Sequence, residues 1–237
     1  MNIKSTLIVI FVLIISYLYL FNQNTIIKKE YSYDVTIYRD IWGVPHIYGQ
    51  KDSDTAFGLA YAHAEDDFET IQDVLLAVRG TSASVKGKEA APIDYLVGLL
   101  KVWETVNQKY ESDLPLEVRE ICEAYADGIN LYIEKYPDKA FQGLYPVKGK
   151  DIVAGFIFRT PLMFDLDWYI KELMKDTKPE FYDYTHTNTE YSMYGSNVFA
   201  LNKNRTDDGH TRIAINSHQP WTGPVTWYEA HLHSEEG

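Results

Sequence analysis

The sequence predicts an α+β fold. Helical periodicity runs through the residues between Ser53 and Met163, short alternating segments flank that region on both sides, and an irregular polar stretch separates it from the last of them. With 237 residues and 46% hydrophobic content, the chain is long enough to bury a sizeable core.

The elements follow in order. Tyr31 to Arg39 alternates, with Tyr33, Val35 and Ile37 on one side, which is the pattern of a half-buried strand. Gly43-Val44-Pro45 reads as a turn into a second short strand, His46 to Tyr48. Ser53 or Asp54 is placed to cap a long helix whose apolar positions Phe57, Ala60, Tyr61, Ala64, Phe68, Ile71, Leu75 and Val78 recur at three- and four-residue steps, with Gly80 as its stop. Further helices are expected over Ile93 to Tyr110, over Pro115 to Tyr136 with proline in its first turn, and over Asp151 to Met163. Tyr169 to Gly195 has no sustained period and reads as a linker. Order resumes at Ser196: Asn197 to Lys203 and Thr211 to Asn216 alternate around the turn residues Thr206-Asp207-Asp208-Gly209, which predicts a hairpin.

A net charge of −12 disfavours attraction to nucleic-acid phosphates, so no nucleic-acid partner is expected. Cys122 is the only cysteine; it excludes an internal disulfide and a cysteine metal cluster, and its apolar neighbours mark it as a buried structural thiol. Lys4 precedes an uncharged stretch, and residues 1–23 read as a signal peptide or signal anchor. Tyr17, Leu18, Tyr19, Leu20 and Phe21 offer no small-residue cleavage site, so an anchor through residues 6–21 stays open, and the rest is expected outside the cytoplasm.

Catalytic chemistry has one starting point in the residues. A serine hydroxyl needs a base within hydrogen-bond reach, and a serine that becomes a chain start can use its own α-amine, whose ordinary pKa of about 7.7–8.0 suits that work. Ser196, first in a strand after a linker, meets that description if the chain is cut before it, and Gly195 offers no side chain to obstruct attack on its carbonyl. Gly-Ser before a strand is, taken alone, usually a turn.

Ser196 stands within a longer series of blocks. They are Arg39-Asp40 with Gly43-Val44-Pro45-His46-Ile47, Asp54-Thr55-Ala56-Phe57-Gly58, Ala60-Tyr61-Ala62-His63-Ala64-Glu65-Asp66, Ala124-Tyr125-Ala126-Asp127-Gly128-Ile129-Asn130, Gly195-Ser196-Asn197, Ala200-Leu201, Asp208-Gly209 and Asn216-Ser217-His218-Gln219-Pro220-Trp221. In this order they resemble the penicillin acylase family of N-terminal-nucleophile hydrolases, and within it the acyl-homoserine lactone and aculeacin acylase branch. The resemblance covers Val35 to Glu236. It implies an αββα fold, of which this chain holds the helical α-chain part (31–168), a spacer peptide (169–195) and the first hairpin of an incomplete β chain (196–237), whose remainder beyond Gly237 is the expected partner.

The resemblance further implies hydrolysis of a linear amide with release of an aliphatic acyl chain, from substrates such as acyl-homoserine lactones or lipopeptides, by an enzyme that matures through autoproteolysis between Gly195 and Ser196. Ser196 is then the nucleophile. His218, 218 minus 196 or 22 positions downstream, contacts its amine and hydroxyl. Met163, Phe164, Gln219 and Trp221 are the implied substrate-pocket residues, with a core role for Phe164 and Trp221 equally in view. The family's oxyanion-hole asparagine belongs to sequence farther along the β chain. No cofactor is expected. Some members hold a structural calcium, but most of its ligand positions fall in β-chain sequence beyond this chain, so no metal is assigned.

Other polar residues have plainer readings. His46 and His63 suit hydrogen-bonding structural roles, Glu65, Asp66 and Asp67 a solvated helix face, and His231 and His233 one exposed side of a strand without a third ligand. Asn197 is placed to orient the chain start. Two rival functions remain at this stage: a β-lactam side-chain amidase, and a truncated, inactive membrane-tethered homologue.

Overall fold

A computed structural model describes residues 29–162, 166, 196–218 and 226–237. They fall into two units, one holding the chain up to Pro161 together with Glu229–Gly237 and the other Leu162–Tyr228. Residues 1–23, Met163, Phe164, Gly195, Gln219 and Trp221 lie outside the described residues.

In the first unit, β1 (Val35–Arg39) pairs antiparallel with β2 (Pro45–Gly49), Ile37 opposite Ile47. Inward alternation begins at Tyr31 as expected, although the ladder starts only at Val35. The turn between the strands is closed by Asp40, whose carboxylate accepts from the backbone N–H groups of Trp42 (2.8 Å) and Val44 (3.0 Å).

The long helix α1 (Asp52–Arg79) begins before its predicted cap. Asp54 is the third helical residue, and its carboxylate reaches back to the N–H of Lys51 at 3.0 Å, which satisfies an orphan donor from inside the first turn. The helix kinks at Asp67 (φ −146°, ψ 57°), whose carboxylate accepts from the Thr70 N–H and so caps the second half. Its predicted stop is observed: Gly80 is left-handed (φ 66°), and the N–H groups of Gly80 and Thr81 turn back onto Ala77 and Leu76.

A short helix α2 (Ser82–Lys86) follows, its first N–H groups held by the Asp94 carboxylate at 2.8 and 2.9 Å. The single helix expected over 93–110 is instead two, α3 (Ala91–Leu99) and α4 (Val102–Asp113), broken where Lys101 turns left-handed (φ 51°). Val97 and Val102 are both buried, yet on a straight helix five positions apart they would stand about 140° round the axis. The break brings both inward, and the Trp103 indole N–H fixes α4 to the Val78 carbonyl at 2.8 Å. Next come α5 (Leu116–Lys135), with Pro115 at its N-cap rather than inside its first turn, and α6 (Gly149–Leu162), which starts two residues before Asp151.

Packing of α1 on α5 forms the core. Ala60, Ala64, Phe68, Ile71 and Leu75 meet Ala126, Ile129, Tyr132 and Ile133, joined by Leu144 and Val147. Each large side chain so buried contributes about 1.5–3 kcal/mol. The alanines allow close approach, and Gly128 requires it: a Cβ there would stand 2.3 Å from the Phe57 carbonyl oxygen and 2.8 Å from the Ala60 Cβ. Gly128→Ala is therefore expected to cost about 1–3 kcal/mol of stability, since backbone must move to admit the methyl group. An unchanged denaturation midpoint in the purified whole protein would contradict this close crossing.

Polar groups tie the remaining segments to this helix pair. Asp127 accepts from Lys29 Nζ at 2.9 and 2.7 Å and from the Tyr33 hydroxyl at 2.8 Å, while Glu134 accepts from the hydroxyls of Tyr31 and Tyr145. Burial and these carboxylates push all three phenols up, Tyr145 to about 12. Asn130 exchanges two hydrogen bonds with the backbone of Val147. Arg79 grips Asp151 through two bonds of 2.8 Å and also donates to the carbonyls of Leu144 and Pro146, locking the loop before α6.

The described part of the second unit is a hairpin, β3 (Ser196–Leu201) antiparallel to β4 (Arg212–Ser217). Back in the first unit, β5 (His231–Ser234) pairs parallel with β2 and completes a sheet in the order β1-β2-β5. That long-range pairing has no local signal in the sequence. Among the described residues no helix is long and apolar enough to cross a membrane.

Candidate active site

The hairpin positions the residues to which the sequence points. Ser196 is the first residue of β3 and pairs with Ser217, the last residue of β4. His218 directly follows Ser217, the partner of Ser196. Ser196 and His218 are both exposed. The connection is well fastened: Asn202 caps a single 3-10 turn, the Thr206 hydroxyl donates to the carbonyls of Lys203 and His210, and Gly209 is left-handed (φ 70°). Arg212 and the His210 N–H hold the Asp208 carboxyl below the usual carboxylate range.

The polar partner of His218 is Asn197, whose Nδ2 lies 2.9 Å from the imidazole Nε2. Expected to orient the chain start, Asn197 is found with its carboxamide against the histidine. Nothing in the 22-position spacing announces this contact; it follows from the ladder, which sets Asn197 opposite Asn216, two residues from His218.

Both faces of the hairpin are apolar. Val198, Ile213 and Ile215 lie on the Ser196 face and Phe199 and Leu201 on the other, all exposed. Alternating apolar-polar strands suit a sheet with one wet face, whereas apolar residues on both faces suit a sheet covered on both sides, as the central layers of an αββα stack are.

The upstream blocks supply structure. Arg39 donates to Asp66 (2.8 Å), Glu65 (3.2 Å) and the Gly43 carbonyl (2.9 Å), so the acidic run expected to be solvated is partly an ion-pair anchor, with Asp67 a helix cap. The His63 ring contacts the Tyr125 hydroxyl at 3.1 Å, and burial lowers its pKa. His46 lies 3.5 Å from Asp40 and stacks on His231, ring centroids 4.3 Å apart. His231 and His233 are exposed, as expected, and no group of three or more metal-ligating side chains occurs among the described residues. Cys122 is buried, and burial pushes its thiol up, away from the reactive thiolate.

Comparison with known proteins bears on the whole arrangement. Residues 34–237 match the family model described as penicillin amidase. The chain is similar to the acyl-homoserine lactone acylase PvdQ of Pseudomonas fluorescens (strain Pf0-1), at 25% identity over 222 residues that make up 83% of this chain and 28% of that protein. Similarity to the acyl-homoserine lactone acylase QuiP of Pseudomonas putida reaches 32% identity over 116 residues, 49% of this chain and 14% of the relative. A penicillin acylase 2 proenzyme of Pseudomonas sp. (strain SE83) is 30% identical over 102 residues, 43% of this chain and 13% of the relative. The thermostable penicillin G acylase of Alcaligenes faecalis superposes with a TM-score of 0.47 and 24% identity, covering 60% of this chain and 80% of that one. The chain spans 28% or less of the length of these curated relatives. With the family model matching across both the helical part and the hairpin, the chain belongs to the penicillin amidase family.

Proposed function

We propose that the protein to which this chain belongs is an amidohydrolase that releases an acyl chain from a linear amide, with Ser196 as nucleophile after self-cleavage between Gly195 and Ser196. The observation that carries the reading is the hairpin register: Ser196 opens β3 opposite Ser217, and His218 is the next residue along the chain. In this reaction the α-amine takes the hydroxyl proton as the Ser196 oxygen attacks the acyl carbonyl. The leaving amine departs protonated, and water hydrolyses the acyl-ester. His218 orients the amine and hydroxyl. Met163, Phe164, Gln219 and Trp221 contribute to the acyl pocket, and residues 1–23 direct the protein out of the cytoplasm.

The names of the relatives favour acyl-homoserine lactones as substrates, while the penicillin acylase 2 relative supports a β-lactam side-chain amidase as the second reading. The test is release of free acid by the whole purified protein from a series of acyl-homoserine lactones and, in parallel, from penicillin and cephalosporin side-chain amides. Turnover of the lactone series above the β-lactam series is expected. The reverse preference would replace the substrate class, and turnover of neither would sink the enzymatic reading.

A further inference from the structure

We infer that Asn197 is a positioning residue for His218, holding the imidazole by Nε2. The inference rests on the proposed role of Ser196 as nucleophile. Its basis is the 2.9 Å contact between the Asn197 Nδ2 and the His218 Nε2. An amide nitrogen only donates, so a neutral imidazole that accepts at Nε2 carries its proton on Nδ1. The Nδ1–H is then the ring's remaining donor.

The backbone explains why this residue can do such work without touching the reacting atoms. Asn197 is held in the ladder opposite Asn216, so its place is set by main-chain hydrogen bonds. Successive side chains of a strand point to opposite faces, which puts the Asn197 carboxamide on the side away from the Ser196 hydroxyl. His218 follows the last residue of β4 and so has no ladder bond of its own to fix it. A side-chain clamp from the neighbouring strand supplies that fixity.

The test uses the whole protein, matured by its own cleavage, with ring-nitrogen-labelled histidine; the His218 signals are assigned by their loss in His218→Gln. Wild type is expected to show a protonated Nδ1 and a bare Nε2. Asn197→Ala should mix the two tautomers and lower kcat about 10- to 100-fold while KM stays within about twofold, the signature of lost orientation. Asn197→Asp keeps the shape of the side chain but can only accept, so it should invert the tautomer to Nε2–H and also lower kcat; it carries the test if the alanine variant does not mature. A wild-type ring protonated at Nε2 alone, or wild-type kcat in a cleaved variant, would overturn the inference. Failure of wild type itself to split before Ser196 would instead remove the proposed nucleophile, so the two failures are distinguishable.

Discussion

Ser196→Ala is expected to leave the whole precursor as one uncut chain with no measurable acyl release. Both losses have one cause. The hydroxyl that would attack the Gly195 carbonyl during maturation is the same hydroxyl that would later attack the substrate, so removing it takes away the cut and the chemistry together. The α-amine base is lost as well, because it exists only once the peptide bond before it is broken. Ser196→Cys should still be cut, since a thiol can make the same attack, and this separates lost chemistry from lost folding. Gel electrophoresis of the purified precursors reads the outcome. A Ser196→Ala protein that splits at the same place would mean that another residue, or another protease, performs the maturation.

His218→Ala is expected to yield a folded, cleaved protein with kcat lowered about 10²–10⁴-fold, the range typical of groups that assist proton transfer. The His218 residue is exposed, so truncation leaves no core cavity and stability should change by less than about 0.5 kcal/mol. Because the histidine orients reacting groups, KM should move little while kcat falls. Steady-state kinetics on the acyl-homoserine lactone that wild type turns over best, together with a denaturant titration, checks both halves. Unchanged turnover in the cleaved variant would leave His218 a surface residue.

Local features were legible from residues alone. The stop of α1 at Gly80 follows from one residue's freedom at positive φ, and the hairpin follows from alternation on each side of a turn. The α5 stripe Ala126, Ile129 and Ile133 is likewise written in its spacing. What escaped depends on partners distant in the chain. The break at Lys101 lets α4 bury Val102, Val106 and Tyr110, a demand that propensity does not show. The pairing of β5 with β2 joins segments nearly the whole chain apart. The Asn197–His218 contact depends on a register that alternation permits and only the folded ladder selects. At the candidate site, Ser196 and His218 are legible through block resemblance and Asn197 through its place beside Ser196, while the Asn197–His218 contact is visible only in the geometry.

Whether Ser196 becomes a chain start is read from the N-terminal sequence of the larger fragment of the whole, mature protein. The expected first cycle is serine, followed by Asn-Val-Phe-Ala-Leu, the order of β3. A fragment beginning at any other residue, or a protein that is active as an intact single chain, would contradict cleavage before Ser196.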